Sequence, residues 1–404
     1  MRQDPTTAAE SPRRIAALVF LLLAGILAGT QLGKIAPLVA WYRVEVGFSL
    51  VMVGWLTSTL GLFVALAALP AAFAIDRAGL YRSYLVSAVA LAAGGVGLAL
   101  FGGPVAALAA RLVEALGYLV LVIAIPALLA TLAPERLKAP ALAIWGGFVP
   151  LGYAVADFLS AAMLPTHSPQ RFLLVSVALF IVLAALAAWL ARGLEPIADT
   201  ARPAGGTPGV ARLAASFSTP VALSALAFGV YVILSIGFFT FLPSFVAEGP
   251  PVVLSAGMIA LLVPLGNVLA GVLLKQRDAR FAALVVMAGF LASAASAVPF
   301  FGASDPVLAT ASAMVFSIAG GVVAAAIFAS VPFIVPPGGS AAIVIGLIAQ
   351  SGGLGTLVGA PLAGYVIGRF GWSGFGWALA ALSLLGFICM TPLLARRRRP
   401  AWPG

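Results

Sequence analysis

Long apolar runs alternate with short polar interruptions along the whole chain. Twelve runs, punctuated by charge, Pro and Gly, reach the roughly 20 apolar residues that a bilayer-spanning helix needs. They lie at 15–40, 50–75, 82–102, 105–132, 139–162, 171–192, 216–243, 252–274, 281–301, 306–333, 341–367 and 373–394. The first, "RRIAALVFLLLAGILAGTQLG", has the basic start of a leader peptide, but it continues to Pro37 with eleven runs behind it and reads as a retained helix. One long interruption, "ARGLEPIADTARPAGGTPGVARL" at 191–213, lies near the centre and reads as a linker. The pattern predicts an all-α integral membrane protein. Its parts are an N-terminal tail (1–14), a six-helix bundle (15–192), a linker (193–215), a second six-helix bundle (216–394) and a basic tail (395–404).

Composition agrees. Of 404 residues 63% are apolar and only 8% are charged, against about 45–50% and about 25% in soluble domains. A single Cys (Cys389) and a single His (His167) exclude a disulfide framework and a Cys/His metal site. The net charge of +10 does not point to nucleic acid, because the basic residues are scattered between apolar runs without interleaved aromatics. They sort by membrane side instead. With the N-terminus inside, inner segments hold Arg2, Arg13, Arg14, Arg77, Arg82, Arg136, Lys138, Arg192, Arg202, Arg212, Lys275, Arg277, Arg280 and Arg396 to Arg399, which is 17 of the 22. Outer segments hold Arg43, Arg171 and Arg369. Lys and Arg collect on the cytoplasmic side, so both termini are expected in the cytoplasm and the chain in a bacterial-type inner membrane.

The two halves echo each other. "GGPVAALAARLVEALGYLV" aligns with "ASDPVLATASAMVFSIAGG", placing Pro104 against Pro306, Gly117 against Gly320 and Pro134 against Pro337, while Pro37 aligns with Pro243. Duplicated transporter halves around a midplane site leave such a repeat. "AFAIDRAGLYR" (72–82) breaks the apolar pattern after the second run. It resembles the Gly-x-x-x-Asp-Arg-x-Gly-x-[Arg/Lys]-[Arg/Lys] signature of the major facilitator superfamily at Asp76, Arg77, Gly79 and Arg82, with Ala72 and Tyr81 as departures. "RLVEALG" resembles the family's fourth-helix motif at Arg111 and Gly117, "GGFVPLG" its fifth-helix motif, and "GVLLKQRDAR" a degenerate second copy of the loop motif. The resemblance implies twelve helices in two pseudo-symmetric bundles, a central path lined by helices one, four, seven and ten, and a latch between halves at the 76–82 loop. Read by themselves, these residues give a tight turn at Gly79 and inside-anchoring charges.

Four ionisable residues fall well inside runs: Lys34, Arg111, Glu114 and Asp157. Each costs about 2.5–3.5 kcal/mol on insertion scales, so each needs a partner or a wet cavity. Helical spacing places Gln31 with Lys34, Arg111 with Glu114 and Tyr118, and Tyr153 with Asp157 on shared stripes. One reading makes Lys34 a solute's charge partner and Glu114 or Asp157 a proton site, since a carboxylate beside a cation can lose and regain its proton as a cavity opens. The other is a structural network of two cations against two carboxylates. The second half offers Tyr231, Asn267, Ser317 and Gln350 instead, with Phe238 and Phe241 roughly on the face of Tyr231. Gly352, Gly353, Gly355 and Gly359 suit close helix packing; no Lys-Ser/Thr pair follows them as in a phosphate loop, which disfavours an ATP-driven pump.

Together these features predict a secondary transporter of a small polar or anionic solute working by alternating access as a monomer. It needs no cofactor, and its coupling ion is the proton. A proton-driven exporter of amphipathic drugs or cations, anchored on Glu114 or Asp157, is the second reading. An enzyme lacks a catalytic constellation here.

Overall fold

The computed structural model describes residues 11–194, 214–249, 252–274 and 278–394. The first ten residues, the core of the expected linker (195–213) and the basic tail (395–404) lie outside the described residues. Among the described residues every regular element is helical, and the helices form twelve spans. In the first half these are α1 (Pro12–Gly33), α2 (Leu50–Ala78), α3 (Leu80–Leu100), α4 (Pro104–Leu132), α5 (Glu135–Gly146 and Phe148–Met163) and α6 (Pro169–Ala191). The second half holds α7 (Thr219–Ala247), α8 (Ala256–Ala260 and Leu262–Leu273), α9 (Ala279–Gly302), α10 (Pro306–Ala329), α11 (341–370) and α12 (372–394).

Local chemistry sets the ends. Proline opens α1, α4, α6 and α10, where its missing N–H costs nothing and its fixed φ suits the first turn. Side chains of Ser49, Ser168, Asp278 and Asp305 accept backbone N–H groups at the starts of α2, α6, α9 and α10. The 76–82 stretch is tighter than a loop: α2 runs through Arg77 to Ala78, α3 starts at Leu80, and Gly79 alone reverses the chain with φ at +88°. Positive φ is open to glycine at no steric cost. Gly371, with φ at +67°, separates α11 from α12 in the same way. Two runs that read as continuous are broken instead. α5 bends by 58° at Gly147, and α8 is interrupted at Leu261, three residues before Pro264. Proline and glycine loosen the backbone ladder there.

Large apolar side chains such as Leu66, Val86, Val89, Val268, Val272 and Trp377 point outward, as a lipid-facing belt requires. Inward, the two halves meet along α2 with α11 and along α5 with α8. α2 and α11 approach through small residues: a side chain at Gly54 would run into the backbone of Ala360 and Pro361, and one at Gly61 into Thr356. Ser58 donates to the Thr356 carbonyl at 2.6 Å, and Gln350 to the Ala65 carbonyl at 3.0 Å. Across α5, Tyr153 shares a hydrogen bond of 3.0 Å with Thr240 of α7. These contacts run from the face opposite the termini to about mid-depth, so that face is closed.

A Cβ at Gly54 would lie 2.6 Å from backbone atoms of Ala360 and Pro361. Gly54→Leu should therefore lower the thermal midpoint of the purified protein, at a cost of about 1–3 kcal/mol for overpacking. Gly302→Leu, at a site where an added Cβ meets nothing within 4 Å, should leave it unchanged. Equal midpoints for the two variants would contradict the close α2–α11 approach.

Candidate functional site

Three of the four intramembrane charges meet inside the first bundle. The turn spacing of Arg111 and Glu114 puts both on one face of α4, and Lys34 reaches them from the end of α1. Glu114 accepts from Lys34 Nζ on one oxygen and from Arg111 Nη1 on the other, each at 2.5 Å. All three side chains are fully buried. The cluster is held by its neighbours: Lys34 also donates to Gln31 Oε1 at 2.8 Å, and Gln31 Nε2 donates to the Ser176 carbonyl of α6 at 3.2 Å. Arg111 donates to the Leu56 carbonyl of α2 and, at 2.8 Å, to the Gln31 carbonyl. α3 closes the site at Gly95, where a Cβ would lie 2.9 Å from Glu114 Oε1 and 3.2 Å from Lys34 Nζ. Only glycine leaves room there.

The cluster therefore holds two cations and one carboxylate, and Arg111 Nη2 has no hydrogen-bond partner among the described residues. The expected second carboxylate is elsewhere. Asp157 sits on α5 and faces the start of α8 of the other half, while Tyr153 on the same stripe packs against Gly33 of α1 and bonds Thr240 of α7. There its Oδ2 accepts the Gly257 N–H at 2.7 Å. The structure so replaces the four-charge network by a three-charge cluster and a separate cross-half contact.

The remaining predicted residues scatter. Tyr118 is buried on α4, 6.4 Å from the Phe148 ring at the break in α5. Tyr231 packs on Phe228 at 5.7 Å and engages Ser235. Asn267 lies beside Gly147, and its Oδ1 is buried with no partner among the described residues, as is the Ser317 hydroxyl. Gln350 is spent on the Ala65 carbonyl. Phe238 and Phe241 are fully buried, and Phe238 packs 4.5 Å from Phe316 and 5.5 Å from Phe300, so it belongs to the second half's core. At the 76–82 turn Arg77 and Arg82 are exposed, and the Asp76 side chain lies outside what is described. Among the described residues no three His, Cys, Asp or Glu side chains gather as a metal site would require. Sequence reasoning missed Ser58 and Thr240, which carry no charge and sit in apolar runs. The i, i+4, i+7 spacing of Gly54, Ser58 and Gly61 is the signal that marks the α2 contact face.

Comparison with known proteins places these observations. The Major Facilitator Superfamily model matches residues 21–353. No curated protein sequence matches the chain. Among solved structures, a bacterial homolog of the human lysosomal transporter Spinster, in an inward-facing and occupied conformation, superposes with a TM-score of 0.77 at 16% identity, covering 97% of this chain and 100% of that one. The nucleoside transporter NupG gives 0.72 at 16% identity over 94% of this chain and 99% of that one. The human organic anion transporter MFSD10 gives 0.62 at 18% identity over 95% and 100%. At these identities the likeness is one of fold.

Removing one partner of a buried ion pair costs about 3–5 kcal/mol because the other charge is left uncompensated. Glu114→Gln strands two cations, whereas Lys34→Met leaves Arg111 and Glu114 as a neutral pair. Unfolding of the two purified variants should rank Glu114→Gln as the less stable by at least about 1 kcal/mol. The reverse order would contradict the shared carboxylate.

Proposed function

The chain belongs to the Major Facilitator Superfamily, and on that premise we propose that it is a secondary active transporter that moves a small polar or anionic organic solute by alternating access, coupled to protons. The observation that carries the reading is the fully buried cluster of Lys34, Arg111 and Glu114, with two positive charges over one carboxylate. A net positive interior favours an anionic solute on the path beside it, and one shared carboxylate is a group whose protonation state alters the balance of the whole cluster. Lys34 and Arg111 then act on the solute through the field of the cluster. The two halves, 15–192 and 216–394, rock as bodies about the path, with the 193–215 linker between them.

Closure of the face opposite the termini by Ser58, Gln350 and Tyr153 supports an arrangement open toward the face that carries the termini. The excess of Lys and Arg near that face supports its assignment to the cytoplasm. The carrier so resides in an inner membrane as a monomer. In the opposite state the Asp76, Arg77, Gly79 and Arg82 turn is the latch on the cytoplasmic side. Tyr118, Tyr231, Asn267 and Ser317 supply uncharged polar groups for the solute, and the likeness to the organic anion transporter MFSD10 and the nucleoside transporter NupG fits a polar organic cargo.

A panel of small organic carboxylates and lipophilic cations, read by thermal shift of the purified protein, tests the solute class. Carboxylates should raise the midpoint. Stabilisation by lipophilic cations alone would favour an exporter of amphipathic cations instead. With the best stabilising carboxylate in proteoliposomes, Glu114→Gln should keep exchange but lose accumulation driven by a pH gradient. Accumulation equal to that of wild type would remove Glu114 from the coupling.

A further inference from the structure

Asp157 stands apart from the charged cluster, and its surroundings differ in kind. Lys34, Arg111 and Glu114 are fully buried within one half. Asp157 is half-buried near the closed face, and its carboxylate reaches from α5 of the first half to the start of α8 of the second. There it accepts the Gly257 N–H at 2.7 Å and engages the Ser255 hydroxyl, which itself caps the helix by accepting the Met258 N–H at 3.2 Å. Glycine at 257 is needed for this approach, since a Cβ would come within 2.9 Å of Asp157 Oδ2 and 3.1 Å of the Phe158 ring. Four residues earlier on the same stripe of α5, Tyr153 bonds Thr240 of α7.

We propose that Asp157 is the lock of the closed face: its carboxylate, bound to the Gly257 N–H and the Ser255 hydroxyl at the start of α8, holds the two halves together there and releases them when the path opens to that side. This rests on the alternating-access reading. A charged acceptor on a backbone N–H is among the stronger hydrogen bonds. The contact is also reversible. Asp157 joins no salt bridge among the described residues, so separation of α5 from α8 strands no counter-ion, and water at that face can take over both the carboxylate and the N–H. Asp157 is thus a positioning residue for the gate and no part of the proton site.

Spin labels at His167→Cys on the α5–α6 connection and Ser304→Cys on the α9–α10 connection, both exposed, in a Cys389→Ser background, report the distance across this face by electron double resonance. Wild type should be dominated by the short distance, with a minor long one when sampled over a range of pH. Asp157→Ala should raise the ratio of long to short populations about tenfold or more. Asp157→Asn, which keeps the size and one acceptor oxygen, should raise it less. An unchanged ratio in folded Asp157→Ala, while wild type samples both distances, overturns the lock and leaves alternating access standing. A single short distance in wild type and in every variant overturns both.

Discussion

The rest of the first bundle is built around one carboxylate. Glu114 is the counter-charge for both Lys34 and Arg111, and in a span there is no water to share the duty. That requirement reaches outward through hydrogen bonds. Gln31 is fixed by Lys34 and by the Ser176 carbonyl, and Arg111 is fixed by the Leu56 and Gln31 carbonyls. Gly95 is confined to glycine because Val177 of α6 and the cluster together fill the space its side chain would occupy. Five of the six helices of that half thus contribute to a single polar core. The second half has no such core among the described residues and is held by rings instead, with Phe238, Phe300, Phe301, Phe316 and Trp372 in mutual contact.

Contacts within a half and between the halves differ in strength. Within a half, the buried charges cost too much to part and the aromatics interlock. Between the halves, contacts run through small residues, the Tyr153–Phe239 ring pair and a few hydrogen bonds at Ser58, Gln350, Tyr153 and Asp157. Each of these hydrogen bonds is worth about 0.5–3 kcal/mol, a range that a solute or a proton can overcome. Two rigid bodies joined by weak, local contacts are what a change of open face requires.

Much of this was legible in the sequence. Span positions follow from apolar runs, the reversal at residue 79 from a glycine between basic residues, and the pairing of Arg111 with Glu114 from turn spacing. The partner of a stripe was not legible. Periodicity places Tyr153 and Asp157 on one face of α5 but does not say that Asp157 meets the opposite half, so spacing alone groups it with charges it does not touch. Helix breaks at Gly147 and Leu261 were hidden because the runs stay apolar across them. Phe238 shares a face with Tyr231 by spacing, yet its ring turns into the core, and Ser58 and Thr240 matter only because a backbone carbonyl and a tyrosine happen to stand opposite.

Coupling of solute to proton is the central claim, and proton flux reads it directly. Proteoliposomes holding the wild-type protein, lightly buffered and free of any imposed gradient, would receive the carboxylate that stabilises the protein best while a pH-sensitive dye reports the lumen. Proton movement that starts with solute entry, saturates with it and is absent from protein-free vesicles is the predicted result. Solute entry to equilibrium with no change in lumenal pH would contradict the account.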